Sequence, residues 1–132
     1  MEYDWLGCDS IGHMALFSTA GAGYAPDEFL RDTDAHDIAI QKILALPATT
    51  EARFYPAVAT GLVNTWRLVA ERGLYAYDCD PSGGPYRLVA APVVAAKTNA
   101  LPPSVVDVAT RVRCPGCFGP TVMTEEMLSA PS

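Results

Sequence analysis

The sequence predicts a single α+β domain, a mainly antiparallel sheet built from two hairpins and packed by about three helices. Three observations carry this. Residues 3–19 and 74–90 each read as paired strands around turn-forming residues. The segments between and after them place apolar residues at helical spacing, most of them bounded by proline or glycine. At 132 residues, half of them apolar and 18% charged, the chain has the size of one domain, whose core needs no disulfide or metal staple.

The first hairpin covers 3–8 and 13–19, joined by a tight turn that carries Asp9 and Gly12. Tyr3, Trp5 and Gly7 share one face of its first strand and Asp4, Leu6 and Cys8 the other. Neither face is cleanly polar, which predicts a sheet covered on both sides, by helices on one and by a loop or partner on the other. Gly21, Gly23 and Pro26 then break regularity, and 27–30 reads as one helical turn. Thr33 or Asp34 is the expected cap of a helix over 35–46, with Ile38, Ile40, Ile43, Leu44 and Leu46 as its apolar side and Pro47 as its stop. A helix over 57–72 places Val58, Leu62, Trp66 and Val69 on one stripe and ends at Gly73. The second hairpin pairs 74–79 with 86–90 across Pro81-Ser82-Gly83-Gly84-Pro85, and Pro92 sets any continuation at an edge or bulge. Ser104, with Asp107 three residues on, is the expected cap of a helix carrying Val105, Val106, Val108, Ala109 and Val112. Thr124 caps a last turn through Leu128.

Fifteen Asp and Glu against nine Lys and Arg give a net charge of −6, and the cations are scattered along the chain. Nucleic-acid binding draws its affinity from a concentrated basic face, so no direct nucleic-acid partner is expected. No apolar run approaches the ~20 residues that span a bilayer, and no basic-then-apolar leader opens the chain. The expectation is a cytoplasmic protein without a membrane partner, in which Cys8, Cys79, Cys114 and Cys117 are reduced thiols.

Each candidate for chemistry also has a structural reading. Cys114 and Cys117 stand at CxxC spacing, which suits two corners of a zinc site or a redox pair. The chain lacks a second CxxC or paired histidines, and Pro115-Gly116 leads into Phe118-Gly119-Pro120, a poor helix start. A structural turn is the leading reading, and no bound metal or cofactor is expected. Asp32-Thr33-Asp34-Ala35-His36-Asp37 has the composition of a metal tract, yet acidic groups also answer the dipole at a helix start, and a calcium loop's glycine and terminal Glu are missing. It leaves a negative patch formed by Asp32, Asp34 and Asp37. Asp9, Ser10 and His13 crowd one turn, but a nucleophile–base relay is defined by geometry and not by adjacency in sequence. No nucleophile elbow, HExxH, phosphate loop or complete dinucleotide motif is present, and no catalytic residue is assigned.

Trp5, Asp9, the run Gly12-His13-Met14-Ala15-Leu16-Phe17-Ser18-Thr19-Ala20-Gly21, Gly23 and Pro26, followed at a distance by Gly73-Leu74-Tyr75-Ala76-Tyr77-Asp78 and Pro85-Tyr86, make up about a quarter of the chain. In these residues it resembles small bacterial immunity proteins of polymorphic or contact-dependent toxin systems. The resemblance implies a non-enzymatic binder that occludes a cognate toxin's surface, and the acidic charge suits a basic toxin domain. On that reading Tyr75, Tyr77 and Tyr86 are aromatic anchors ringed by Asp78 and Asp80; as ordinary strand aromatics they are core. The alternative is a small enzyme or ligand-binding domain with a site between the two hairpins.

Overall fold

A computed structural model describes residues 3–55, 65–80 and 82–129. The expected α+β class holds, as a curled mixed sheet with helices packed on it. β1 (Asp4–Cys8) and β2 (Met14–Ser18) form the first hairpin, β4 (Tyr75–Cys79) and β5 (Tyr86–Pro92) the second, and β3 (Ala52–Phe54) and β6 (Val122–Met123) both pair with β5. The sheet order is β1-β2-β4-β5-β3. β2 and β4 run parallel, in register from Ala15 opposite Tyr75 to Ser18 opposite Asp78. The two hairpins are therefore zipped edge to edge by backbone pairing.

The helices are α1 (Asp27–Leu30), α2 (Thr33–Leu44), α3 (Thr65–Ala70), α4 (Pro103–Ala109) and α5 (Glu125–Ser129), with a 3₁₀ turn at Thr98–Ala100. One face of the sheet, with Leu6, Cys8, Met14, Leu16, Ala76 and Ala90, is covered by α2, α3 and α4. The opposite face carries Trp5, Phe17, Tyr77 and Tyr86, packed by Phe29 and by Val112, Cys114, Phe118, Met123 and Leu128 from the later part of the chain. This accounts for strands without a polar face: the chain's own later segment serves as the second cover. Cross-strand register makes an aromatic ladder on that side. Trp5 opposes and stacks on Phe17 at 4.1 Å, and Phe17 opposes and stacks on Tyr77 at 5.2 Å.

Several element boundaries differ from expectation for local reasons. Asp32, not Thr33 or Asp34, caps α2, its Oδ1 accepting from the Ala35 amide at 3.1 Å. Pro102 precedes α4 and Pro103 opens it, so Ser104 lies inside the helix, where its hydroxyl accepts from Lys42 Nζ at 3.1 Å. β5 runs past the expected 86–90 and closes at Pro92 opposite Ala52, and the irregularity in the β4–β5 ladder falls at Ala76/Tyr77. Of the helix expected over 57–72, residues 57–64, including Val58 and Leu62, lie outside the described residues, and the described part is helical over Thr65–Ala70. Gly73 ends that segment at φ +95°, where a Cβ would sit 2.5 Å from the Ala96 Cβ, so both conformation and space require glycine. No helix among the described residues is long and apolar enough to cross a membrane.

Candidate functional site

α2 lays His36, Ala39, Ile40 and Ile43 against the core at offsets of three, four and seven residues. The histidine takes a place on the buried stripe that the sequence reading gave to Ile38. Ile38 is turned to solvent, 57% exposed, and Leu30 at the end of α1 is 50% exposed. Asp34 lies one turn before Ile38 on the same helix face, and Asp37 and Asp27 are also exposed. Asp34 and Asp37, with Asp4, Tyr3, Phe29 and Thr33, line a recess of about 380 Å³. Asp32 stands apart from them in being committed: besides capping α2, its Oδ2 lies 3.5 Å from Arg111, whose other nitrogen pairs with Asp107 at 2.9 Å. Asp34 and Asp37 have no ion-pair partner among the described residues. α1 and α2 thus carry two exposed apolar side chains, Leu30 and Ile38, and the exposed carboxylates of Asp27, Asp34 and Asp37, with Arg31 and Lys42 as the exposed cations beside them.

The strand residues expected to contact a partner are divided by burial. Tyr77 and Tyr86 are core residues, which removes them as anchors. The Tyr77 hydroxyl donates to the Pro120 carbonyl at 2.9 Å and accepts from the Gly119 amide at 3.0 Å; burial pushes its pKa up to about 12. The Tyr86 hydroxyl donates to the Tyr24 carbonyl at 2.6 Å and accepts from Trp5 Nε1 at 3.2 Å; burial raises its pKa also. Both phenols act as buried struts. Tyr75 is half-buried beside His13 and Phe118, Asp78 is half-buried in β4, and Asp80 is exposed at the strand's exit. The aspartates of β4 and those of α2 are carried by separate elements.

Asp9 is the hub of the first turn, with a fully buried carboxylate. Its Oδ1 accepts from the Ile11 amide at 3.1 Å and the His13 amide at 2.8 Å, and its Oδ2 accepts from the Phe118 amide at 2.9 Å. One side chain therefore closes the hairpin and fastens the Cys114–Cys117 loop to it. Ser10 adds a backbone bond to the Gly116 carbonyl at 3.0 Å, and its hydroxyl faces the Cys117 thiol at 3.7 Å. His13 Nδ1 is 4.0 Å from Asp9 Oδ2, beyond hydrogen-bond range. Ser10 pairs with the thiol and Asp9 with backbone amides, so the three residues form a turn and not a proton relay.

The four cysteines are free thiols, with Cys117 exposed and the others buried. Burial, with Cys8 and Asp9 nearby, pushes Cys114 up to about 12, which suppresses the thiolate a redox nucleophile needs. Among the described residues no three His, Cys, Asp or Glu side chains are grouped to hold a metal ion, so Cys114 and Cys117 lack the further ligands zinc requires.

Fold and exposure together define an α+β protein whose first two helices carry exposed aspartates and two exposed apolar side chains. No known protein family matches the chain, and neither a curated protein nor a solved structure is found to be similar to it. Sequence reasoning missed Leu30 and Ile38 as surface residues. The signal that finds Ile38 is the His36, Ala39, Ile40, Ile43 stripe, which fits helical spacing better than one that includes Ile38.

Proposed function

We propose that this chain is a non-enzymatic binding protein that neutralises a cognate bacterial toxin by occluding its surface, with the outer face of α1 and α2 as the contact. The observation that carries the reading is that α1 and α2 leave Leu30 and Ile38 exposed on the same two helices as the exposed Asp27, Asp34 and Asp37. Protein contacts concentrate their energy in a few apolar anchors that a polar rim shields from water, and this face has both parts. Its carboxylates, part of the net charge of −6, steer a basic partner and repel nucleic acid, so the toxin domain on this reading is basic and meets the protein in the cytoplasm. The resemblance of the opening block to immunity proteins supports the same role. Leu30 and Ile38 replace Tyr77 and Tyr86 as anchors.

The test is co-expression with the product of the gene immediately upstream. The expected outcome is rescue from toxicity together with co-purification of the two chains. Absence of both protection and binding overturns the proposal.

A further inference from the structure

A cavity of about 540 Å³ opens beside the turn of the first hairpin, walled by that turn, α1, the 112–115 segment and α5. None of Asp27, Asp34, Asp37, Leu30 or Ile38 lines it, so it is separate from the face assigned above. Its volume falls in the range of small-molecule sites. Val112, Cys114 and Leu128 are buried side chains that give it an apolar floor, and Tyr24 contributes a half-buried ring. Arg113 and Glu28 line it as well, and neither has a hydrogen-bond or ion-pair partner for its side chain among the described residues. Asp9 also borders the cavity, but its carboxylate is already engaged by three backbone amides. The charges left to meet a ligand are thus one guanidinium and one carboxylate, which form no ion pair with each other, in a cavity also lined by apolar side chains.

We propose that this cavity binds a short zwitterionic peptide of two or three apolar residues, its terminal carboxylate on Arg113 and its terminal ammonium on Glu28. Separate opposite charges favour a molecule whose own charges sit at opposite ends. A free amino acid carries both on one carbon and fills only part of the space. Guanidinium–carboxylate pairing supplies a directional contact at one end, and the apolar floor receives the side chains between.

Calorimetric titration of the full chain with leucyl-leucine tests this, alongside its N-acetylated form, its C-terminal amide and free leucine. The expected result is saturable binding of one leucyl-leucine per chain, weakened at least tenfold by either block and by shortening to leucine. Glu28→Gln should erase the difference between free and acetylated peptide, and Arg113→Gln the difference between acid and amide. Both residues are exposed, so neither variant disturbs the core. No saturable binding at millimolar peptide, or blocked and free forms binding alike, overturns the proposal. Because the readout involves no toxin, it stands or falls independently of the binding face.

Discussion

At the residue scale, two buried polar side chains set the behaviour of the fold. Asp9 supplies acceptors to three amides, two of them local and one more than a hundred residues away in sequence. Asp9→Ala strands those donors and is expected to cost about 3 kcal/mol, the order for losing charge-assisted bonds to buried amides. Asp9→Asn, which restores only the oxygen facing Ile11 and His13, should recover part of that in urea unfolding. The two local bonds are legible in the sequence as an Asx turn ahead of Gly12. The bond to Phe118 is not, because no pattern in either segment encodes their approach. His36 is the second case. Its Nδ1 accepts from the Leu6 amide at 3.0 Å, which places its proton on Nε2, an atom buried without a hydrogen-bond partner. Burial first, then Arg111, lowers its pKa from 6.5 to about 4, with Asp32 opposing. Between those values the unfolded chain holds a proton that the folded chain lacks. Stability from this group is therefore complete above about pH 6.5 and falls with pH by up to ~1.4 kcal/mol per unit, until the folded imidazole itself protonates. Urea midpoints measured from pH 7 to pH 4 should show this slope, and His36→Asn, which keeps an acceptor near the Leu6 amide, should reduce it.

At the element scale, α2 shows what a sequence pattern can and cannot resolve. Its existence and its acidic start are legible from the Asp32–Asp37 tract and from Pro47 beyond its end, yet its buried side is not the one isoleucine counting selects. A histidine on the core stripe is disguised by its acidic neighbours, and Ile38 looks like core until the offsets to His36 and Ile43 are compared. The distinction is measurable. Ile43→Ala removes a fully buried side chain and should cost about 2–5 kcal/mol, whereas Ile38→Ala should change stability by no more than ~0.5 kcal/mol. Equal losses at the two positions would contradict the assigned face. β3 escaped the sequence reading because it has three residues, none buried, and its place is fixed by pairing with β5 and not by alternation. Both hairpins were legible because turn residues and β-rich segments mark each locally. The parallel β2–β4 contact that joins them was not, since pairing between distant strands leaves no local signature.

At the scale of the whole molecule, both faces of the sheet are covered by the chain itself. The aromatic residues that draw attention in the sequence are internal: Trp5, Phe17, Tyr77 and Tyr86 form one packed group beneath the 112–128 segment. Of the large apolar side chains left exposed, Leu30 and Ile38 are the ones carried by α1 and α2 together with exposed aspartates, while Ile11, Val93, Val94, Val122 and Met127 lie elsewhere. On the proposed function the side of α1 and α2 with Asp34 and Asp37 holds a basic toxin domain, and the electrostatic part of that contact gives the sharpest test, because reversing exposed charges leaves the core intact. Association of the protein with the purified upstream gene product should be followed by surface plasmon resonance at low and high salt, comparing the natural chain with Asp34→Lys/Asp37→Lys. A drop in association rate of tenfold or more for the variant, with a weaker salt dependence than the natural chain shows, is the predicted result; equal rates and equal salt dependence for the two proteins would contradict it.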